Sequence, residues 1–183
     1  MDRLIILCDL DDVLWDLLNP WIGRLNAMSG EKYCPKDITA WDISQFYPTL
    51  TKGVVYSPFR EKTFWEKVHP MPHSREVVKK ILEDGHKFKI VTSTHYNNAT
   101  LKMTRFFELF PELSWKDLTI TTDKQAVQGH FLIDDNPDNL IGGSYYKILF
   151  DRPHNKDFTE LTTDWTRVRD LPTAYEVISA FTK

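Results

Sequence analysis

The run Leu4-Ile5-Ile6-Leu7-Cys8 passes directly into Asp9-Leu10-Asp11-Asp12, and apolar residues resume at Val13-Leu14. Few folds can use such a sequence. Consecutive apolar residues of this length read as a strand buried on both faces, the pattern of a parallel sheet. The acids then fall just past the carboxyl end of that strand, where open α/β sheets bind their ligands. Carboxylates this close repel, and each raises the pKa of the next. A turn or a helix cap needs one Asp rather than three. The cluster therefore points to a cation, or to a reaction that uses its charge.

Three further segments repeat the theme of an apolar run closed by a reactive group. Phe88-Lys89-Ile90-Val91-Thr92-Ser93 ends in hydroxyls, and Phe131-Leu132-Ile133-Asp134-Asp135 ends in paired acids. Between them, Thr121-Thr122-Asp123-Lys124 supplies a cation. In this order the segments resemble the four motifs of the haloacid dehalogenase (HAD) superfamily, and the resemblance covers most of the 183 residues. Residues 121–135, with Val13 after the acid cluster, look most like the 5'(3')-deoxyribonucleotidases. Asp12 departs from the pattern, since those proteins carry Gly there. It adds a negative charge at the mouth of the site, which bears on substrate preference more than on chemistry.

The rest of the chain divides in two. Apolar runs at 4–9, 88–92, 118–121, 131–134 and 146–150 read as five strands. Helical patterns lie at 74–82, with Ser74 as N-cap and Gly85 as stop, at 98–110 before Pro111, and at 172–181 with Pro in the first turn. Alternating strands and helices imply an α/β fold with a mostly parallel sheet. The resemblance implies a HAD-like Rossmannoid core, with the first strand central and the strands of the second and fourth motifs flanking it. Residues 15–71 are too long for one crossover and too long for an unstructured loop. They begin with an amphipathic helix (Leu17, Leu18, Trp21, Ile22, Leu25, Met28) that closes near Gly30, and then turn irregular and aromatic. The segment is expected to be a small helical cap inserted after the first strand, with residues 1–14 and 72–183 as the core and Pro70-Met71-Pro72 as the hinge. Most of its aromatics should form the cap's own core. Leu17, Trp41, Phe59, Phe64 and Trp65 are the candidates for a substrate pocket.

The motif residues suit phosphate-monoester hydrolysis. Asp9 is the expected nucleophile, forming an aspartyl-phosphate, and Asp11 the general acid and base. Asp9, Asp134 and Asp135, with the backbone carbonyl of Asp11, form an oxygen-only site suited to Mg²⁺. Thr92, the Ser93 backbone and Lys124 are expected to hold the phosphoryl group. The nucleotidases carry a Lys in the helix after their second motif, so Lys102 is a further phosphate contact, with Arg105 as its rival for that place. The six histidines, His69, His73, His86, His95, His130 and His154, show no metal-ligand spacing and read as structural. Asp16 should favour the N-terminus of the first cap helix. Gly142-Gly143 and Asn136-Pro137 read as turns.

Net charge and hydropathy narrow the partners. A net charge of −3 argues against binding a nucleic-acid polymer, which needs clustered Lys and Arg, but leaves room for one small phosphorylated substrate. No apolar stretch approaches the roughly 18 residues of a membrane span. The N-terminal residues do not read as a signal peptide. Cys8 inside a strand and Cys34 in a loop suggest free thiols in a reducing, cytoplasmic setting. The expected activity is a Mg²⁺-dependent phosphatase, most closely resembling a 5'-nucleotidase for (deoxy)nucleoside monophosphates. A HAD phosphatase for another metabolite, such as a sugar phosphate, is the rival enzyme, and a non-catalytic binding module is the rival outside enzymes. The sequence leaves a homodimer open.

Overall fold

In the computed structural model, which describes residues 3–159 and 162–181, the apolar runs align side by side. Strand β1 (Ile5–Cys8) lies inside the sheet, between β4 (Lys87–Thr92) and β6 (Phe131–Asp134). β5 (Leu118–Ile120) flanks β4, and β7 (Tyr146–Phe150) and β8 (Trp165–Val168) follow β6, giving the six-stranded order β5-β4-β1-β6-β7-β8. Every adjacent pair is parallel, with Leu7 opposite both Lys89 and Leu132. Parallel register makes all the strands end on the same side, so the residues after β1, β4 and β6 meet there. Ile6, Leu7 and Cys8 are fully buried, as a strand covered on both faces requires.

The sheet has one strand more than the sequence predicts. Among the described residues β8 is an edge strand paired with β7 alone, and Trp165, Thr166 and Arg167 are half-buried while Val168 is buried. An edge strand needs no continuous apolar run, so the signal that marks the inner strands is missing there.

Helix α4 (Ser74–Glu83) buries Val77, Val78 and Ile81 and is followed by Gly85 at φ +84, a left-handed position that glycine takes without a steric cost. Its N-cap is His73, not Ser74, which is the first helical residue. Helix α5 (Ala99–Leu109) follows β4. Helix α7 (Leu171–Ala180) is capped by Asp170, whose side chain accepts the Thr173 N–H. Asn136-Pro137 does more than turn the chain: it opens the short helix α6 (Pro137–Leu140), with the Asn136 side chain accepting the Asp138 N–H. Among the described residues no helix is long and apolar enough to cross a membrane.

Residues 15–71 leave and rejoin the core through a two-stranded antiparallel ribbon, in which β2 (Trp15–Asp16) pairs with β3 (His69–Pro70). Between them run α1 (Leu18–Ser29), the short helices α2 (Lys52–Val55) and α3 (Lys62–Trp65), and 3₁₀ turns at Pro35–Asp37, Ile43–Phe46 and Ser57–Arg60. Gly30 closes α1 at φ +82. Leu18, Ile22, Leu25, Ile38, Ile43, Tyr47 and Val55 form an apolar cluster of their own. Leu17, Phe64, Trp65 and Val68 instead join the main core beneath the sheet's ligand edge, where Trp15 contacts both Trp65 and Phe106.

Candidate active site

The chain places its acids where the strands run out. Asp9 follows β1, and its backbone N–H donates to the Ile133 carbonyl at 2.8 Å, which ties it to β6. Asp134 is the last residue of β6, and Asp135 follows it. Lys124, in a 3₁₀ turn after β5, reaches in to Asp9 Oδ1 at 2.5 Å and Asp134 Oδ2 at 2.6 Å. Asp134 Oδ1 accepts from the Asn136 backbone at 2.9 Å and from Asn139 Nδ2 at 3.0 Å. Asp9, Asp134 and Asp135 are all buried, and each offers an oxygen such that the three lie within 4.8 Å of one another.

One lysine does not balance these charges. The Asp9 pKa is raised from 3.8 to about 7, with burial the largest cause, Lys124 opposing it, and Asp134 and Asp11 adding to it. Burial also raises Asp134 and Asp135. Burial alone would lower Lys124, but its two carboxylate partners outweigh that, and its pKa rises. Asp135 Oδ1 is buried and has no hydrogen-bond partner among the described residues. Unpaired buried carboxylate oxygens are costly. An oxygen-only cluster with an unpartnered atom fits a hard divalent cation.

Asp11 is held at both oxygens. Trp15 Nε1 donates to Oδ1 at 2.8 Å and Lys102 Nζ to Oδ2 at 2.5 Å. Lys102 is nearly inaccessible and also donates to Thr92 Oγ1 at 3.0 Å and the Ser93 carbonyl at 2.9 Å. The Thr92 hydroxyl is therefore an anchor for Lys102, away from the cavity wall, whereas Ser93 lines the cavity. Arg105 is turned elsewhere: its guanidinium donates to the Val68 carbonyl and pairs with Glu108. Lys102 rather than Arg105 occupies the site.

Asp12 takes φ +56, a left-handed conformation that glycine adopts freely. Its carbonyl accepts Nε of Arg152 at 2.7 Å and also Nη2. Its carboxylate accepts the N–H groups of Leu17 at 3.1 Å and Leu18 at 2.9 Å, so the charge expected at the site mouth caps the start of α1. Burial first, then Asp135, raises its pKa.

Above the acids opens a cavity of about 480 Å³. Of the expected pocket residues, Leu17, Trp41, Phe59 and Trp65 line it. Phe64 does not; it packs behind the wall against Phe59 and Trp65, with ring centroids 5.2 and 5.4 Å away. Trp21 and Tyr56 also line the cavity, with the Trp21 ring tilted against Phe59 at 4.6 Å between centroids. The sequence offers a hint of Trp21, one helical turn beyond Leu17, but the same spacing fits a helix core. Asn98, Asn139 and His154 belong to the polar wall, as do Arg60, Asn97 and His95, a histidine the sequence reads as structural; no sequence spacing announces them. His154 Nε2 lies 3.2 Å from Asp135 Oδ2, so this histidine belongs to the site and is not merely structural.

The arrangement matches a known family along nearly its whole length. A family model described as "5' nucleotidase, deoxy (Pyrimidine), cytosolic type C protein" covers residues 3–180. The chain belongs to this family. A 5'(3')-deoxyribonucleotidase of Clostridium acetobutylicum is 30% identical over 165 residues, 89% of this chain and 91% of that protein. Among solved structures, a haloacid dehalogenase-like protein of Agrobacterium tumefaciens superposes with a TM-score of 0.66 at 12% identity, covering 100% of both chains. A HAD hydrolase of Bacillus subtilis, bound to magnesium, superposes with a TM-score of 0.58 at 12% identity, covering 97% of this chain and 99% of its own. The fold is that of the HAD hydrolases, and membership of the 5'-nucleotidase family makes the chain a phosphoric monoester hydrolase.

Proposed function

We propose that the protein dephosphorylates deoxynucleoside monophosphates through an aspartyl-phosphate, with Mg²⁺ as cofactor. The observation that carries this reading is a single cavity whose floor is Asp9, Asp11, Lys124 and Asp135 and whose wall is aromatic. The floor suits a phosphoryl group and the wall a flat base. The C. acetobutylicum relative is described as a 5'(3')-deoxyribonucleotidase, which supports this choice of substrate.

In this mechanism Asp9 attacks phosphorus, forming an O–P bond as the bond to the substrate's ester oxygen breaks. Asp11 gives its proton to the departing alkoxide. It then takes a proton from the water that cleaves the aspartyl-phosphate, which frees inorganic phosphate and regenerates Asp9. Lys102 and Trp15 hold the Asp11 carboxylate in place for this proton transfer. Lys124 offsets negative charge on Asp9 and the phosphoryl oxygens. Ser93 supplies a backbone N–H at the cavity wall. Asp9, Asp134, Asp135 and the Asp11 carbonyl would hold Mg²⁺, which when bound neutralises phosphoryl charge. Residues 15–71 act as a cap, and Leu17, Trp21, Trp41, Tyr56, Phe59 and Trp65 select the substrate.

The test is phosphate release across deoxynucleoside, ribonucleoside and sugar monophosphates, with Mg²⁺ or with EDTA. A deoxynucleoside monophosphate should give the highest kcat/KM, and EDTA should abolish the activity. A sugar phosphate outperforming every nucleotide would overturn the substrate assignment, and full activity in EDTA the metal assignment.

A further inference from the structure

His154 lines the cavity yet has no part in the mechanism above. It sits in the 3₁₀ turn Pro153–Asn155 that follows β7. That turn reaches Asp135 at two points. Asn155 Nδ2 donates to the Asp135 carbonyl at 2.7 Å and to the Phe150 carbonyl at 2.8 Å. Asn155 is itself fixed, because its Oδ1 accepts from the Arg152 backbone at 3.1 Å and from Arg167 Nη1 at 2.8 Å. The backbone of Asp135 is thereby pinned. The His154 ring approaches the carboxylate end, with Nε2 at 3.2 Å from Oδ2.

The histidine side chain is only 9% exposed, and among the described residues Nε2 has no well-formed hydrogen bond. A buried polar nitrogen without a full partner costs free energy unless the site uses it. Its neighbour shows the complementary feature: Asp135 Oδ1 is buried and unpartnered. One oxygen of Asp135 faces an imidazole, and the other is buried without a partner among the described residues. From the other side, Trp41 of the segment 15–71 sets its ring edge-on to His154, with centroids 5.1 Å apart.

We propose that His154 is a positioning residue that holds Asp135 Oδ2 and so presents Oδ1 to the cation, with Trp41 steadying the imidazole ring. The inference rests on the metal reading of the preceding subsection. Partners of this kind around a metal-ligating carboxylate commonly govern affinity by 10- to 100-fold.

The experiment is calorimetric titration of Mg²⁺ into the substrate-free wild type, His154→Phe and His154→Gln, with metal-free melting curves to verify folding. His154→Phe keeps a ring against Trp41 but removes the donor, and its Mg²⁺ affinity should fall about tenfold or more. His154→Gln can donate to the same oxygen and should recover most of that loss. If the Phe ring is not tolerated, His154→Leu removes the donor with a smaller side chain and reads the same way. Wild-type affinity in the variants without the donor would overturn the proposal. So would equal weakening in His154→Phe and His154→Gln, which would mark the ring as packing alone. A wild type that binds no Mg²⁺ would instead remove the metal reading, and this inference with it.

Discussion

Asp11 has no freedom to turn, because Trp15 holds one oxygen at 2.8 Å and Lys102 the other at 2.5 Å. An amide in its place keeps the shape but sets its NH2 against one of these two donors, and it cannot pass a proton. Asp11→Asn should therefore lower kcat by about 10²–10⁴-fold on an alkyl ester, and much less on an aryl phosphate, whose leaving group needs no proton. Equal loss on both substrates would contradict the acid role. Asp12 offers a separate test. Ala and Gly both remove its carboxylate, so they differ mainly in the cost of holding φ +56. Asp12→Gly should be more stable than Asp12→Ala by about 1 kcal/mol in denaturant unfolding; the reverse order would contradict a strained turn. At this scale the acids, Lys124 and Ser93 are legible in the sequence, because each closes or adjoins an apolar run. Thr92 is legible as a position but not as an anchor, since its hydroxyl is claimed by a lysine ten residues on. His154 is silent, because only the turn after β7 brings it back to Asp135; Asn139, five residues past Asp134, is silent because Asn136-Pro137 reads as a turn and not as the start of α6.

Strands buried on both faces announce themselves, whereas the two edge strands differ: β5 is expected at 118–121 and β8 is not. β1, β4, β6 and β7 are apolar runs, whereas β8 mixes Thr and Arg with Trp and Val because only β7 pairs with it. Helix starts are less legible than helix stops. Gly30 and Gly85 end α1 and α4 as expected, yet α4 begins after His73 at φ +62, and α1 is capped by Asp12 from outside its own sequence. The turn Ile43–Phe46 shows a cap with a pH signature. Asp42 accepts from Ser44 and pairs with Lys52 at 3.0 Å; the Ser44 side chain first, then Lys52, lowers its pKa from 3.8 to about 2. A depressed carboxylate pKa stabilises the fold above the unfolded value and loses that contribution as pH falls through the folded value. Asp42→Asn should therefore flatten the melting temperature between about pH 4 and pH 2 relative to the wild type, with no change in slope near neutrality. An unchanged acid limb would show that Asp42 is not linked to folding.

Across the whole molecule, the parallel sheet gathers motifs from residues 9 to 135 at one edge, and the segment 15–71 adds the aromatic wall over them. The sequence marks this segment as aromatic but does not reveal which rings face the cavity. Phe59 and Phe64 differ by five positions; one lines the cavity, and the other packs behind it. Packing against the main core decides that, and composition carries no trace of it. Phe59→Leu should cut kcat/KM for a deoxynucleoside monophosphate by the equivalent of about 1–3 kcal/mol while sparing a small alkyl phosphate such as glycerol phosphate. Equal loss on both would make Phe59 a core residue alone. The proposed chemistry rests on a carboxylate oxygen of Asp9 taking the phosphoryl group. A crystal structure grown with Mg²⁺ and beryllium fluoride, a mimic of aspartyl-phosphate, tests this most directly. The account predicts beryllium bonded to an Asp9 carboxylate oxygen, with Lys124 alongside and the cation among Asp9, Asp134 and Asp135. Beryllium fluoride bonded to any other residue would contradict it.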